Sequence, residues 1–118
     1  MFLSVIVPVH NEYDSLLELD FRLHQSLKSL AEGFEYQILY IDDGSTDNSN
    51  LLLKKLSRNV RTELLTLRAN FGKSMALLAG FKYAKGDFIA TIDSDLQDYP
   101  EDIPLMFNFM NQTNCDLV

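Results

Sequence analysis

Two aspartates one residue apart, Asp93 and Asp95, follow the strand-like run from Asp87 to Ile92. At a strand end, two carboxylates so spaced reach one hard cation directly or through water. Oxygen donors of this kind suit Mg2+ or Mn2+, which favour octahedral sites completed by substrate phosphates. Gln97 adds a neutral oxygen two residues on. An Asp-Ser-Asp string, with Ser94 between its acids, also serves elsewhere as a turn cap beside a solvated carboxylate, so its position in the fold decides its meaning. A second acidic group, Asp42-Asp43-Gly44-Ser45, offers acceptors for a ribose hydroxyl or a base N–H. There Gly44 suits a positive φ and Thr46 or Asp47 caps the following helix, which leaves one of Asp42 and Asp43 free to bind. Gly72-Lys73-Ser74 opens a helix, a natural place for an anion. No Gly-rich turn precedes it at P-loop spacing, so Lys73 is read as a single diphosphate contact, with a solvated first-turn lysine as the alternative. His10 and His24 are isolated from other ligand types and suggest no metal cluster; His24 is expected at the surface of a helix.

Electrostatics joins these groups. Glu12, Asp42, Asp43, Asp93 and Asp95 would repel a diphosphate if left alone. A divalent cation between carboxylates and phosphates reverses that sign and stabilises charge on a departing diphosphate.

The elements that must position these residues alternate along the chain. Leu3 to Val9, Tyr36 to Ile41, Glu63 to Leu67 and Asp87 to Ile92 read as strands, the first two apolar enough to be covered on both faces. Leu16, Leu19, Leu23, Leu27 and Leu30 form one helical stripe, ended by Gly33. A second helix runs through Leu51, Leu52, Leu53 and Leu56, and a third spans Gly72 to Ala84 with Gly80 inside it. A fourth starts near Pro100 and ends by Gln112, and it carries Met106, Phe107, Phe109 and Met110 as core residues. Asp116 to Val118 reads as the opening of a fifth strand. This β-α order predicts an α/β fold, a Rossmann-like mostly parallel sheet with helices on both faces. Every polar cluster then falls at the carboxyl edge, where such sheets bind ligands: Pro8-Val9-His10-Asn11-Glu12, Asp42 to Asp47, Asn70 to Ser74 and Asp93 to Asp98.

The totals narrow the classes. The 118 residues suit one domain, here 1–118, expected to be one part of a larger domain interrupted at its fifth strand. A formal charge of -7 disfavours nucleic acid as a partner. The single Cys115 leaves no intramolecular disulfide, and the N-terminal segment lacks a basic leader, so a cytoplasmic location is expected. No apolar run reaches the roughly 20 residues of a membrane span.

The strings SVIVPVHNE (4–12), IDDGSTD (41–47), NFGKSMALLAG (70–80) and IDSDLQDYPE (92–101) resemble, in this order, glycosyltransferase family 2, of GT-A fold. The resemblance covers essentially the whole chain. It implies that the Pro8 to Glu12 loop, through Pro8, Val9, Asn11 and Glu12, and Asp43, beside Asp42, hold the base and ribose of a UDP-sugar or GDP-sugar donor. It implies that Lys73 lies near the diphosphate, that Asp93 and Asp95 are the acids of the family's Asp-X-Asp motif, binding Mg2+ or Mn2+ with Gln97, and that Ser94 between them lies in the donor site. Asp95 is the residue assigned to catalysis. Leu96-Gln97-Asp98 with Pro100-Glu101 is similar to the branch that loads a sugar onto a polyprenyl phosphate; Tyr99 departs from it where proline is common. The implied reaction is an inverting displacement at the anomeric carbon. Acceptor-binding elements, a base for any hydroxyl acceptor and membrane anchors at the cytoplasmic face are expected in segments beyond Val118, so the 118 residues alone are expected to bind nucleotide without turnover. An open fifth strand would favour a homo-oligomer.

Other enzymes with acids at this edge are distinguished by strand. An aspartyl phosphohydrolase carries Asp-X-Asp on its first strand, a receiver domain pairs its acids after the first, and a sugar nucleotidyltransferase has a Gly-rich, Arg-containing loop there. A transferase using a hydroxyl acceptor and a catalytically silent nucleotide-binding module remain as alternatives.

Overall fold

The computed structural model describes residues 2–30 and 33–113. Its elements run β1 (Phe2–Val9), α1 (Tyr13–Leu27), β2 (Glu35–Asp42), α2 (Ser49–Leu56), β3 (Thr62–Thr66), α3 (Lys73–Tyr83), β4 (Phe88–Thr91) and α4 (Asp102–Thr113). The expected fifth strand, 116–118, lies outside the described residues.

The four strands form one parallel sheet in the order β3-β2-β1-β4. Leu3 to Val9 and Tyr36 to Asp42 are buried throughout, as central parallel strands with both faces covered must be. On one face Leu16, Leu19, Leu23 and Leu27 of α1 pack with Leu53 of α2, and with Ile103 and Phe107 of α4, over Val5, Val7 and Tyr40. Burying each such leucine contributes roughly 1.5–3 kcal/mol. On the other face α3 lays Ala76 against Ile6, Leu39 and Ile41. The opposite placement of α3 follows from chain direction: β1 to β2 to β3 moves one way across the sheet, whereas β3 to β4 moves back, and a crossover of constant hand then changes face. Gly80 has a packing reason to sit inside α3, because a Cβ there would lie 2.5 Å from Cγ2 of Ile6. The helix approaches β1 too closely for any side chain.

Several boundaries differ from the sequence expectation. The α1 helix ends at Leu27, so Leu30 packs on the core from the turn that follows, and Gly33 (φ 90) turns the chain later. The α2 helix begins at Ser49 rather than after a Thr46 or Asp47 cap, although Asp47 Oδ1 does accept the Ser49 N–H at 2.9 Å. Pro100 stands two residues before α4, with its carbonyl accepting from Ile103 N at 3.1 Å. Of the apolar residues on α4, Phe107 is core, whereas Met106 and Phe109 are exposed.

His24 is not a surface residue. It is largely buried beside the amino edge of the sheet, sharing a 2.8 Å hydrogen bond with the Tyr36 hydroxyl, while the Tyr40 hydroxyl donates to Asp20 at 2.7 Å. Burial, and then the Asp20 carboxylate, hold Tyr40 neutral well above the ordinary tyrosine range. The leucines on either side of His24, at 23 and 27, carry it inward on the flank of the α1 stripe, which isolated spacing did not reveal.

Candidate functional site

At the carboxyl edge, where the strand order reverses between β1 and β4, a cleft of about 310 Å³ opens. Pro8, Val9, His10 and Glu12 line it from the end of β1, Asp43 from β2, Asn70, Gly72 and Lys73 from the β3–α3 loop, and Asp93, Ser94 and Asp95 from β4. Four loops distant in sequence thus share one cavity. Asn11, Asp42 and Gln97, expected with them, are not among its lining residues.

Asn11 faces the neighbouring loop instead. Its backbone is left-handed (φ 54), a conformation asparagine tolerates better than most residues, and its Oδ1 accepts from Thr46 N at 2.7 Å and Asp47 N at 3.2 Å. Its own N–H donates to Ser45 Oγ at 3.0 Å, and Glu12 N donates to Ser49 Oγ at 3.1 Å. Asn11 therefore clamps the β1–α1 loop to the β2–α2 loop and shapes the cleft from behind.

Asp42 and Asp43 both accept hydrogen bonds within the chain. Asp42, 1% exposed, accepts from Ser45 N at 3.1 Å and Asn50 Nδ2 at 2.7 Å. Asp43, 4% exposed, accepts from Phe71 N at 2.8 Å and Gly72 N at 3.0 Å. Asp42 fixes the turn into α2, and Asp43 holds the β3–α3 loop that carries Lys73. The turn is tight enough that Gly44 (φ 68) brings its Cα against Ala69, whose carbonyl carbon would stand 2.4 Å from a Cβ. Asp43 remains on the cleft wall with lone pairs to spare, since each carboxylate oxygen accepts more than one bond.

The Asp93–Asp98 segment is a compact turn. Asp93 N donates to Asp98 Oδ2 at 3.0 Å, Gln97 N donates to Asp95 Oδ1 at 3.1 Å, and Leu96 takes φ 64. A left-handed leucine costs roughly 1–2 kcal/mol. Ser15, in the first turn of α1, donates its hydroxyl to the Ser94 carbonyl at 2.6 Å and ties the turn to the opposite wall. Ser94 itself is buried, whereas Asp95 and Gln97 are exposed. Lys73 Nζ pairs with Asp93 Oδ1 across the cleft. The hydrogen bond to Asp93 outweighs the opposing effect of burial, and the nearby Asp95 and Asp98 add to it, so the Lys73 pKa lies above the ordinary lysine value.

The donor set fits a divalent cation held jointly with a ligand. Asp93 and Asp95 supply two hard carboxylates in one cavity, and one of them already attracts a cationic group. Among the described residues, no three His, Cys, Asp or Glu side chains are arranged to hold a metal by themselves. Two carboxylates with the rest from phosphate and water is the arrangement Mg2+ commonly takes.

Three further residues shape the site. His10 shares a 2.9 Å hydrogen bond with the Asp43 carbonyl through Nδ1, while Asn70 Nδ2 lies 3.3 Å from its Nε2; its ring divides the cleft from a second, larger hollow of about 670 Å³ over β2 and β3. Its place one residue past the β1 core was the available signal. Asn70 sits inside a string already singled out. Ser15 carries no signal, since its partner is a backbone carbonyl 79 positions away.

Comparison with known proteins agrees with this geometry. The family model for glycosyl transferase family 2 matches residues 4–118. Among solved structures, S. aureus TarS 1-349 superposes with a TM-score of 0.74 at 25% identity, over 97% of this chain and 33% of that one. Its complex with UDP-GlcNAc gives 0.73 at 28% identity, over 97% and 32%. The mannosyltransferase PcManGT from Pyrobaculum calidifontis, in complex with GDP-Man and Mn2+, shares the fold at a TM-score of 0.69 and 20% identity, over 85% and 29%. The chain therefore spans about a third of the length of these structures. With an Asp-Ser-Asp turn, an acidic strand end and a lysine loop around one cleft of a GT-A-like sheet, and a family match from residue 4 to residue 118, this chain belongs to glycosyltransferase family 2.

Proposed function

We propose that this chain binds the nucleotide-sugar donor of an inverting glycosyltransferase, with the diphosphate seated between Lys73 and the Asp93–Asp95 turn. The observation that carries the reading is the meeting of Asp93, Asp95 and Lys73 with Pro8, Val9 and Asp43 in one cavity. The apolar walls of Pro8 and Val9 suit a base, and Asp43 retains acceptor capacity for a base or ribose. Glu12 stands at the ribose side of the same cleft. Asp93 and Asp95 would hold Mg2+ or Mn2+, with Gln97 as a further oxygen if the turn rearranges to bring it in. Bound there, the metal supplies charge neutralisation for the leaving diphosphate. The chain's own part is to orient the donor, to anchor the turn through Ser15 and Asp98, and to offer the Lys73 ammonium to phosphate oxygens. Related structures hold UDP-GlcNAc in one case and GDP-Man with Mn2+ in another, which supports a UDP-sugar or GDP-sugar donor and a divalent cation.

For the acceptor, the Asp93–Glu101 string supports a polyprenyl phosphate. Such an acceptor is already an anionic nucleophile and requires no base, whereas a hydroxyl acceptor does. None of the helices in the described residues is long and apolar enough to cross a membrane. The test is transfer of radiolabelled sugar from UDP- and GDP-sugars in the presence of undecaprenyl phosphate, by a protein that contains this chain. Label in the organic extract supports the lipid acceptor; label only in a water-soluble glycan replaces it with a hydroxyl acceptor. Donor binding with no transfer to either leaves a nucleotide-binding module.

A further inference from the structure

We propose that Lys73 is an internal counterion that keeps the Asp93–Asp95 pair closed to a divalent cation until a diphosphate draws its ammonium away. The inference rests on the donor-site reading above and adds an order of events to it.

Lys73 and Asp93 come from opposite walls. Lys73 opens α3, held in place by the Asp43 bonds to Phe71 N and Gly72 N, whereas Asp93 follows β4. The ammonium nevertheless crosses to Asp93 Oδ1, one of the two carboxylates in the cleft. In that position it occupies a lone pair a metal would need, and it sets a like charge beside any ion approaching Asp95. The other carboxylates of the turn are engaged within it, Asp95 with Gln97 N and Asp98 with Asp93 N. Asp93 is thus the acid whose side chain is held by a mobile group, and Lys73 is that group.

The pair is built to exchange. Its side chains are 59% and 41% exposed, so water and salt screen the attraction and the bond is weak. A lysine stem of four carbons reorients without disturbing the helix. A diphosphate brings more negative charge than one carboxylate and therefore competes for the ammonium, and its departure from Asp93 opens the acid pair to the metal. Metal and diphosphate then each raise the affinity of the other, as linkage requires.

The test is a Mn2+ titration of the 118-residue chain without nucleotide, followed by loss of the free-ion electron paramagnetic resonance signal. Lys73→Gln is expected to bind Mn2+ about tenfold more tightly than the parent, because an ammonium near a divalent ion opposes binding by about that factor. Lys73→Arg keeps the charge and should remain at the parental affinity. Adding Asp93→Asn to Lys73→Gln should erase the gain, which locates it at this pair. With UDP or GDP present, the same Lys73→Gln change should weaken the ternary complex, so the two effects have opposite sign; a merely structural lysine would not produce that reversal. Nucleotide-free Mn2+ affinity of Lys73→Gln within about twofold of the parent overturns the proposal. So does a gain that survives Asp93→Asn. Parental binding of UDP or GDP with Mn2+ tests the donor site separately, so a failed counterion and a failed donor site are told apart.

Discussion

Two acidic pairs stand at the same edge of the same sheet and have opposite fates. Asp42 and Asp43 end β2, are almost fully buried, and spend their oxygens on backbone and amide N–H groups of their own and the neighbouring loop. Asp93 and Asp95 follow β4, both line the cleft, and Asp93 meets the exposed lysine at 73. Position explains the contrast. Adjacent residues on a strand point to opposite faces, so Asp42 turns toward the hollow over β2 and β3 while Asp43 turns toward the cleft. Asp93 and Asp95 lie beyond β4, in a turn rather than on a strand, and with Ser94 between them they line one cavity. The first pair holds the loops that shape the cleft, with Asp43 also on its wall, and the second faces the cleft from a turn.

That contrast can be broken by substitution. The largest effect is expected beside the buried pair, at Gly44→Ala. A left-handed alanine with its Cβ 2.4 Å from Ala69 backbone should lose about 3–4 kcal/mol in urea denaturation. Next, Asp42→Ala should cost about 2–3 kcal/mol by stranding Ser45 N and Asn50 Nδ2 without their buried acceptor. Asp93→Asn and Asp95→Ala, by contrast, should change stability by no more than about 0.5 kcal/mol. A large loss at Asp93 or a negligible one at Asp42 would erase the distinction between the pairs.

The smallest effect concerns a third kind of acid, exposed but paired. Glu101 takes two bonds from Arg22, at 2.6 and 2.9 Å, and these hold its pKa below the ordinary value of 4.5. A depressed carboxylate contributes stability above its unfolded pKa and loses it as pH falls through the folded one. Glu101→Gln should therefore narrow, slightly, the stability difference between neutral and acid pH, read from thermal unfolding at a series of pH values. No narrowing would mean that solvent screens the pair completely.

Much of this arrangement was legible from residue order. Buried parallel strands announce themselves as continuous apolar runs, and the Leu16-to-Leu27 stripe fixes the inward face of α1. The gathering of polar strings at one sheet edge followed from strand alternation alone. What spacing could not show was which side chains are consumed by the backbone. Asp42 and Asp43 look equally available in sequence, and only the return of the β3–α3 loop onto Asp43 reveals that both are engaged. Asn11 reads as a ligand residue but is drawn away by two free N–H groups of the β2–α2 loop. Gln97 follows the acid pair closely in sequence, yet the left-handed Leu96 changes the chain's direction before it, and it is not among the residues lining the cleft.

The central claim is that the exposed acid pair binds a nucleotide diphosphate through a divalent cation. It is tested most directly by calorimetric titration of the chain and of Asp95→Ala with UDP and GDP, each in Mn2+ and in EDTA. The parent should bind one of the two nucleotides only with Mn2+, and Asp95→Ala should lose this binding while unfolding at the parental urea concentration. Equal binding by parent and variant, or binding undiminished in EDTA, would contradict it.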